Sequence, residues 1–187
     1  PRYKDATFFV VEDASLIPDV LFRVIDTEMA EDVGVFTGTI PKWLEGLHMV
    51  SIFVTGNSEE EIQFKLRTLK NALKDYEENK TGGFYDQPRV MKHAMMQTPF
   101  RFTVKMADFL KGGGFEYSGP ILPVGLYPQA FEGCLEVSAR HGLPYSVMSR
   151  VVARGTAIMV GAGYVLNRAD SEGTEKVKQA LHDLNES

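Results

Sequence analysis

Residues Tyr145–Leu166 read YSVMSRVVARGTAIMVGAGYVL, an apolar, β-branched run interrupted at Arg154-Gly155. Tyr145 to Ala153 has the pattern of one strand, and Thr156 to Leu166 continues it after Gly155. Before this run, Phe115 to Leu122 is strand-like. Pro128 to Arg140 then carries a helical pattern that Gly142 closes at the usual C-terminal position. After it, Asp170 or Ser171 caps a last helix with Val177, Ala180, Leu181 and Leu184 on one face. The second half therefore reads β-α-β-β-α.

The first half has a similar grammar. Thr7 to Val11 suits a buried strand. A helix follows, with Leu16, Ile17, Val20, Leu21, Val24 and Ile25 on one face and Pro18 in its first turn, where the missing N–H costs little. Asp32 to Pro41 reads as a loop, and Met49 to Val54 as a strand ending in the Thr55-Gly56-Asn57 turn. Ser58 and Glu61 form a capping box, from which Ile62, Leu66, Leu69, Leu73 and Tyr76 keep a helical rhythm. Glu59, Glu60 and Glu61 at the start and Lys70 and Lys74 near the end suit the helix dipole. From about 77 to 114 the pattern is irregular, with Gly82-Gly83, Pro88, Pro99 and a Met-rich patch at Met91, Met95 and Met96. One strand near Phe100 to Val104 and a short helix are expected there. The whole predicts an α+β fold: a mostly antiparallel sheet with helices packed on one face, built from two ferredoxin-like split βαβ halves. The other face is left for a ligand or partner.

Composition bounds the function. With 187 residues, 44% of them hydrophobic and 24% charged, the chain supports one globular domain over 1–187. A formal charge of −5 lacks the positive field that drives nucleic-acid binding. The single cysteine, Cys134, excludes an internal disulfide framework and a Cys-rich zinc site. Neither a membrane-spanning run nor a signal peptide is expected, which together with the cysteine usage suggests the cytoplasm. The chain starts at Pro1 and stops at Ser187 just after a helical pattern, so it is expected to be part of a longer protein.

Familiar catalytic motifs are missing. Ser118 in Tyr-Ser-Gly-Pro lacks the flanking glycines of a nucleophile elbow, and Cys134 lies in a helix as a small core residue. His48, His93, His141 and His182 are scattered and show no metal-ligand spacing. Gly161-Ala162-Gly163 begins like a dinucleotide fingerprint, but it sits within a strand pattern with no helix after it. Gly112-Gly113-Gly114 reads as a hinge. The more informative cluster is Tyr145, Arg150 and Arg154, with Tyr117 on the preceding strand. Alternation puts Arg150 and Arg154 on one sheet face with Met148 and Val152. An arginine pair there could anchor a carboxylate or phenolate through forked hydrogen bonds, with tyrosine as a further donor. The plain alternative is an ion-pair network or solvent exposure.

Gly112–Pro123, GGGFEYSGPILP, the following helix, His141–Tyr145, HGLPY, and then ARGTAIMVGAGYVLNRADSEGTEKVKQAL from Ala153 resemble the C-terminal substrate domain of FAD-linked oxidases. The likeness is to the vanillyl alcohol oxidase and p-cresol methylhydroxylase branch. LHMVSIFVTGNSEEEIQFKLRTLKNAL, from Leu47, is similar to the strand and long helix that open that domain. The resemblance implies a two-part flavoenzyme. A separate domain holds the FAD, and this cap covers the isoalloxazine and shapes the pocket for an alcohol, hydroxy acid or phenolic substrate oxidised by hydride transfer. It further implies that the isolated chain is inactive and that a homodimer is a family expectation; on this reading the strand pattern makes Arg150, Arg154, Tyr117 and Tyr145 the expected substrate contacts and Arg154 and Gly155 the expected approach to the flavin. The histidines of the metal motif found in hydroxy-acid relatives are missing from Arg154 to Val160, so no metal is expected. The rival reading is a non-catalytic ferredoxin-like ligand-binding or protein-interaction domain.

Overall fold

The computed structural model describes residues 3–28, 32–38, 48–85, 113–143 and 146–186. The first half runs β1 (Tyr3–Val11), α1 (Ile17–Asp26), β2 (Asp32–Gly38), β3 (His48–Gly56), α2 (Glu59–Ala72), α3 (Lys74–Glu78) and β4 (Gly82–Tyr85). The second runs β5 (Gly113–Ser118), β6 (Ile121–Pro123), α4 (Tyr127–Arg140), β7 (Ser146–Val152), β8 (Ala157–Asn167) and α5 (Ser171–Glu186).

All described strands join one sheet in the order β4-β1-β3-β2-β7-β8-β5, with β6 also paired to β8. Every pairing is antiparallel. Setting β4 aside as an addition, each half is a βαββα unit, and the order β1-β3-β2 is mirrored by β7-β8-β5 about the β2–β7 pair. The two halves thus meet along a central antiparallel ladder from Gly34 opposite Arg150 to Gly38 opposite Ser146.

Helices cover one face. Val50, Ile52 and Val54 of β3, Phe9 and Val11 of β1, Val147 of β7, and Ile158, Val160, Ala162 and Tyr164 of β8 point into one core with Ile17, Val20, Leu21, Val24, Leu69, Phe131 and Val137. Alternation in the strands and three-to-four spacing in the helices produce that face directly. The helix ends are capped as the sequence indicates. Ser58 Oγ accepts from the Glu61 N–H at 3.2 Å while Glu61 Oε2 accepts from the Asn57 N–H at 2.7 Å. Asp170 Oδ1 accepts from the Gly173 N–H at 3.0 Å, and Gly142 takes a positive φ of 56° after α4. His141 Nε2 lies 2.8 Å from Asp183 Oδ2, tying the end of α4 to α5.

The structure corrects several expectations. The segment read as a loop from Asp32 contains β2, the strand that joins the two halves. Its DVGVFTG sequence carries two glycines that hide its β-character, and pairing on both sides overrides that local weakness. The long helical rhythm breaks at Leu73, where φ −111° and ψ 10° divide α2 from α3. Gly119-Pro120 divides the expected Phe115–Leu122 strand into β5 and β6, since proline cannot donate to a ladder. Within the irregular stretch, β4 pairs with the edge of β1. The strand expected near Phe100 to Val104 and the short helix lie outside the described residues. Among the described residues no helix is long and apolar enough to cross a membrane.

Candidate functional site

The face of the sheet away from the helices is where the candidate residues collect. Strand register lays out its central row as Tyr85, Phe8, Ser51, Gly34, Arg150, Met159 and Ile121, one residue from each strand from β4 to β6. Paired residues of antiparallel strands share a face, so these side chains stand on one side of the sheet. Towards β4 this face is closed, since Ala6, Phe8 and Ser51 are buried. Towards β8 it is half open, with Met148, Arg150, Val152 and Met159 all partly exposed.

Arg150 is placed on this face as alternation predicts, opposite Gly34 on β2 and Met159 on β8. Arg154 is not beside it. β7 stops at Val152, and Ala153, Arg154 and Gly155 form a tight turn with φ of 51°, 54° and 86°. The Thr156 N–H and Oγ1 both donate to the Ala153 carbonyl, at 3.3 and 2.8 Å. The chain reverses there, so the strand alternation that seemed to align the two arginines ends before Arg154. Two successive non-glycine residues in the left-handed region cost on the order of 1 kcal/mol each. Arg154 is exposed at the tip, and Gly155 lies over α1, where an added Cβ would come 3.1 Å from Ile25 Cγ2.

Tyr117 shares the face but not the neighbourhood. It pairs with Gly163, four residues along β8 from the Met159 that faces Arg150, which sets the two Cα atoms roughly 17 Å apart from strand spacing and rise. Its ring stacks on Phe115 with centroids 6.4 Å apart. The Tyr117 hydroxyl is buried with no hydrogen-bond partner among the described residues, and burial pushes the phenol up to about 12. Close approach is built into this corner. A Cβ on Gly161 would lie 1.7 Å from the Ser118 carbonyl oxygen, and one on Gly163 2.3 Å from Phe115 Cζ. Tyr145 lies outside the described residues, next to Ser146, which pairs with Gly163.

Ser51 is the residue that sequence reading missed. It is fully buried in the central row and its Oγ has no partner among the described residues. A lone hydroxyl in the apolar run Met49-Val50-Ser51-Ile52-Phe53 was the signal available. On the helix-covered face, by contrast, Cys134 is buried and its thiol raised to about 11, which keeps it protonated and inert. His48, at the end of β3 beside Val11, has a buried Nδ1 without a partner, and burial lowers its pKa. No group of three metal-ligating side chains occurs among the described residues.

No family model and no curated protein matches the sequence. Solved structures match along nearly all of it. 4-Ethylphenol oxidase from Gulosibacter chungangensis superposes with a TM-score of 0.74 at 11% identity, covering 97% of this chain and 43% of that one. 6-Hydroxy-D-nicotine oxidase from Arthrobacter nicotinovorans gives 0.55 at 14% identity, over 100% of this chain and 43% of that one. A VAO-type flavoprotein from Myceliophthora thermophila C1 gives 0.55 at 13% identity, over 100% and 40%. The chain thus spans about two-fifths of the length of each of these proteins. It has the fold of a domain found in VAO-type flavoprotein oxidases.

Proposed function

We propose that this chain is the substrate-binding cap domain, a single domain over 1–187, of an FAD-dependent oxidoreductase acting on an alcohol, hydroxy acid or phenolic compound. The observation that carries the reading is the superposition on 4-ethylphenol oxidase, which takes up 97% of this chain but 43% of that protein. A remainder of that size is what a separate FAD-binding domain needs, and that domain is the partner this reading requires.

The residues fit a cap and not a dinucleotide site. Gly161-Ala162-Gly163 is mid-strand in β8, with no helix N-terminus to receive a pyrophosphate. The half-open part of the second face offers thioether and aliphatic surface from Met148, Met159 and Val152 beside one guanidinium, which suits the flat face and polar edge of a ring system. Bound FAD supplies the two-electron acceptor. The chain's own residues orient the substrate and keep water out. In this reading Arg150 meets substrate charge, and Arg154 and Gly155 reach towards the flavin from the hairpin tip. Tyr117 donates a hydrogen bond at the far end of the face, and Tyr145, which lies outside the described residues, is the second proposed donor. Without its FAD-binding partner the chain is inactive.

The test is the visible absorption spectrum of the protein expressed from its full natural reading frame, before and after acid precipitation. A flavin spectrum is expected, and colour retained in the pellet shows a covalent bond. A folded, colourless protein that takes up no added FAD overturns the reading and favours a ligand-binding module.

A further inference from the structure

Exposed apolar bulk gathers at one edge of the sheet. Among the described residues the large hydrophobics that stand in solvent are Phe64, Ile121 and Leu126, at 54%, 66% and 48% exposure. Phe64 is alone on the outer side of α2, with exposed Glu60, Gln63 and Arg67 near it in the helix, and a single side chain of that kind needs no partner. Ile121 and Leu126 belong to one ribbon, Pro120–Leu126, PILPVGL. It lies inside a run from Tyr117 to Phe131 that has no charged residue, in a chain of which 24% is charged.

The ribbon is fixed on its inner side. The Val160 N–H donates to the Pro120 carbonyl at 3.1 Å, Ile121–Pro123 pairs with Ala157–Met159 of β8, and the Val124 N–H donates to the Thr156 carbonyl at 3.1 Å. Leu122 and Val124 pack against the core, so the alternate positions Ile121 and Pro123 turn outward, where an edge strand ordinarily carries charge. Ile121 also ends the central row of the second face, opposite Met159. The ribbon therefore borders the half-open part of that face, the part proposed for substrate.

We infer that Pro120–Leu126 is the surface by which this chain docks on its FAD-binding domain, as an apolar seal along the rim of the substrate pocket. The inference rests on the cap-domain reading. Two observations select the occupant. The fold takes up 43% of 4-ethylphenol oxidase and 40% of the VAO-type flavoprotein, so the larger part of each of those chains lies outside it and is available to cover exposed apolar area. A second copy joining sheet edge to sheet edge is opposed by the ribbon itself, since Pro120 and Pro123 have no N–H to give an incoming strand. The contact is side-chain packing, and its place beside Met159 suits a seal that keeps water from the reacting centre.

The experiment uses the protein from its full natural reading frame and reads the rate at which a protease releases this domain from the rest of the chain. That rate follows the fraction of molecules in which the domains are apart. Burying the exposed remainder of one isoleucine or leucine corresponds to about a tenfold shift in such an equilibrium. Ile121→Glu combined with Leu126→Glu is expected to speed release about tenfold or more, and Phe64→Glu to leave it unchanged. Ile121→Ser and Leu126→Ser, each expected to speed release by a smaller factor, serve should the double variant fail to fold. Unchanged release in variants of a flavin-containing protein overturns the inference and leaves the cap reading standing. Equal acceleration by Phe64→Glu overturns it too, by showing that any added surface charge acts. A dimer that the double variant breaks into monomers at an unchanged release rate, read by light scattering, overturns it in favour of a second copy. A wild-type protein that binds no flavin overturns the cap reading and the inference with it.

Discussion

The two faces of the sheet treat buried hydroxyls in opposite ways. On the helix-covered face, Ser138 donates to the Cys134 carbonyl at 2.7 Å and lies 2.8 Å from the Tyr164 hydroxyl, and Ser149 donates to the Tyr127 hydroxyl at 3.3 Å. On the second face, Ser51 and Tyr117 bury hydroxyls that have no partner among the described residues. Both faces belong to the same strands and were free to supply partners. The contrast holds for hydroxyls, since the helix-covered face buries an unpartnered Nδ1 at His48, and each unpaired buried polar group costs about 1–3 kcal/mol. Departures from local consistency of this kind gather where a protein meets something outside itself.

Gly161 gives the largest expected effect. It is a second-face residue whose added Cβ would strike backbone, 1.7 Å from the Ser118 oxygen and 2.5 Å from the Gly119 Cα. Backbone cannot swing aside as a side chain can, so Gly161→Ala should destabilise by about 3 kcal/mol, read by denaturant unfolding. A change below about 0.5 kcal/mol would show that the close β5–β6 crossing is not fixed, and the second face would lose its rigid floor. Ser149→Ala comes next. It strips the Tyr127 hydroxyl of its donor in a fully buried position and should destabilise by about 2 kcal/mol. If Ser149→Ala costs nothing, the contrast between paired and unpaired faces fails on its structural side.

Much of this was legible from the residues themselves. The capping box at Ser58 and Glu61, the closure of α4 at Gly142 and the apolar faces of all the long helices are local signals, and the structure follows them. What local signals could not carry is pairing. β2 has two glycines in seven residues, and its strand state comes from β3 and β7 on either side. The same limit misled the site reading. Arg150 and Arg154 alternate correctly only while the strand lasts, and the left-handed turn after Val152 parts them. Tyr117 and Arg150 share a face, but the register that separates them along β8 is a property of three strands together. Ser51 was hidden for the same reason, since only the β1–β3–β2 register shows it facing a glycine on one side and a phenylalanine on the other.

His48 tests the helix-covered face by pH. Burial depresses its pKa below the ordinary value of 6.5, with Asp13 pulling weakly the other way. The unfolded chain therefore takes up the proton first as pH falls, and stability contributed by the neutral ring is full above pH 6.5 and declines as pH drops from 6.5 through the folded-state value. The melting temperature should fall across that window, and His48→Gln should flatten the fall. An unchanged pH profile in the variant assigns the dependence to other groups.

Tyr117→Phe gives the smallest expected change in stability and the sharpest reading of the contrast. The substitution keeps the ring that stacks on Phe115 and deletes only an oxygen that is buried and unpaired. Deleting the hydroxyl of a paired tyrosine costs about 1 kcal/mol, whereas here no bond is lost and the desolvation penalty disappears. Stability should stay within about 0.5 kcal/mol of wild type or rise. A loss of 1 kcal/mol or more would mean that the hydroxyl has a structural partner after all, and the second face would then be paired like the first. With stability unchanged, a raised KM for the full-length protein identifies the hydroxyl as a donor to substrate. An unchanged KM removes the Tyr117 hydroxyl from substrate recognition and leaves Arg150, two strands over and four residues along, to be tested separately.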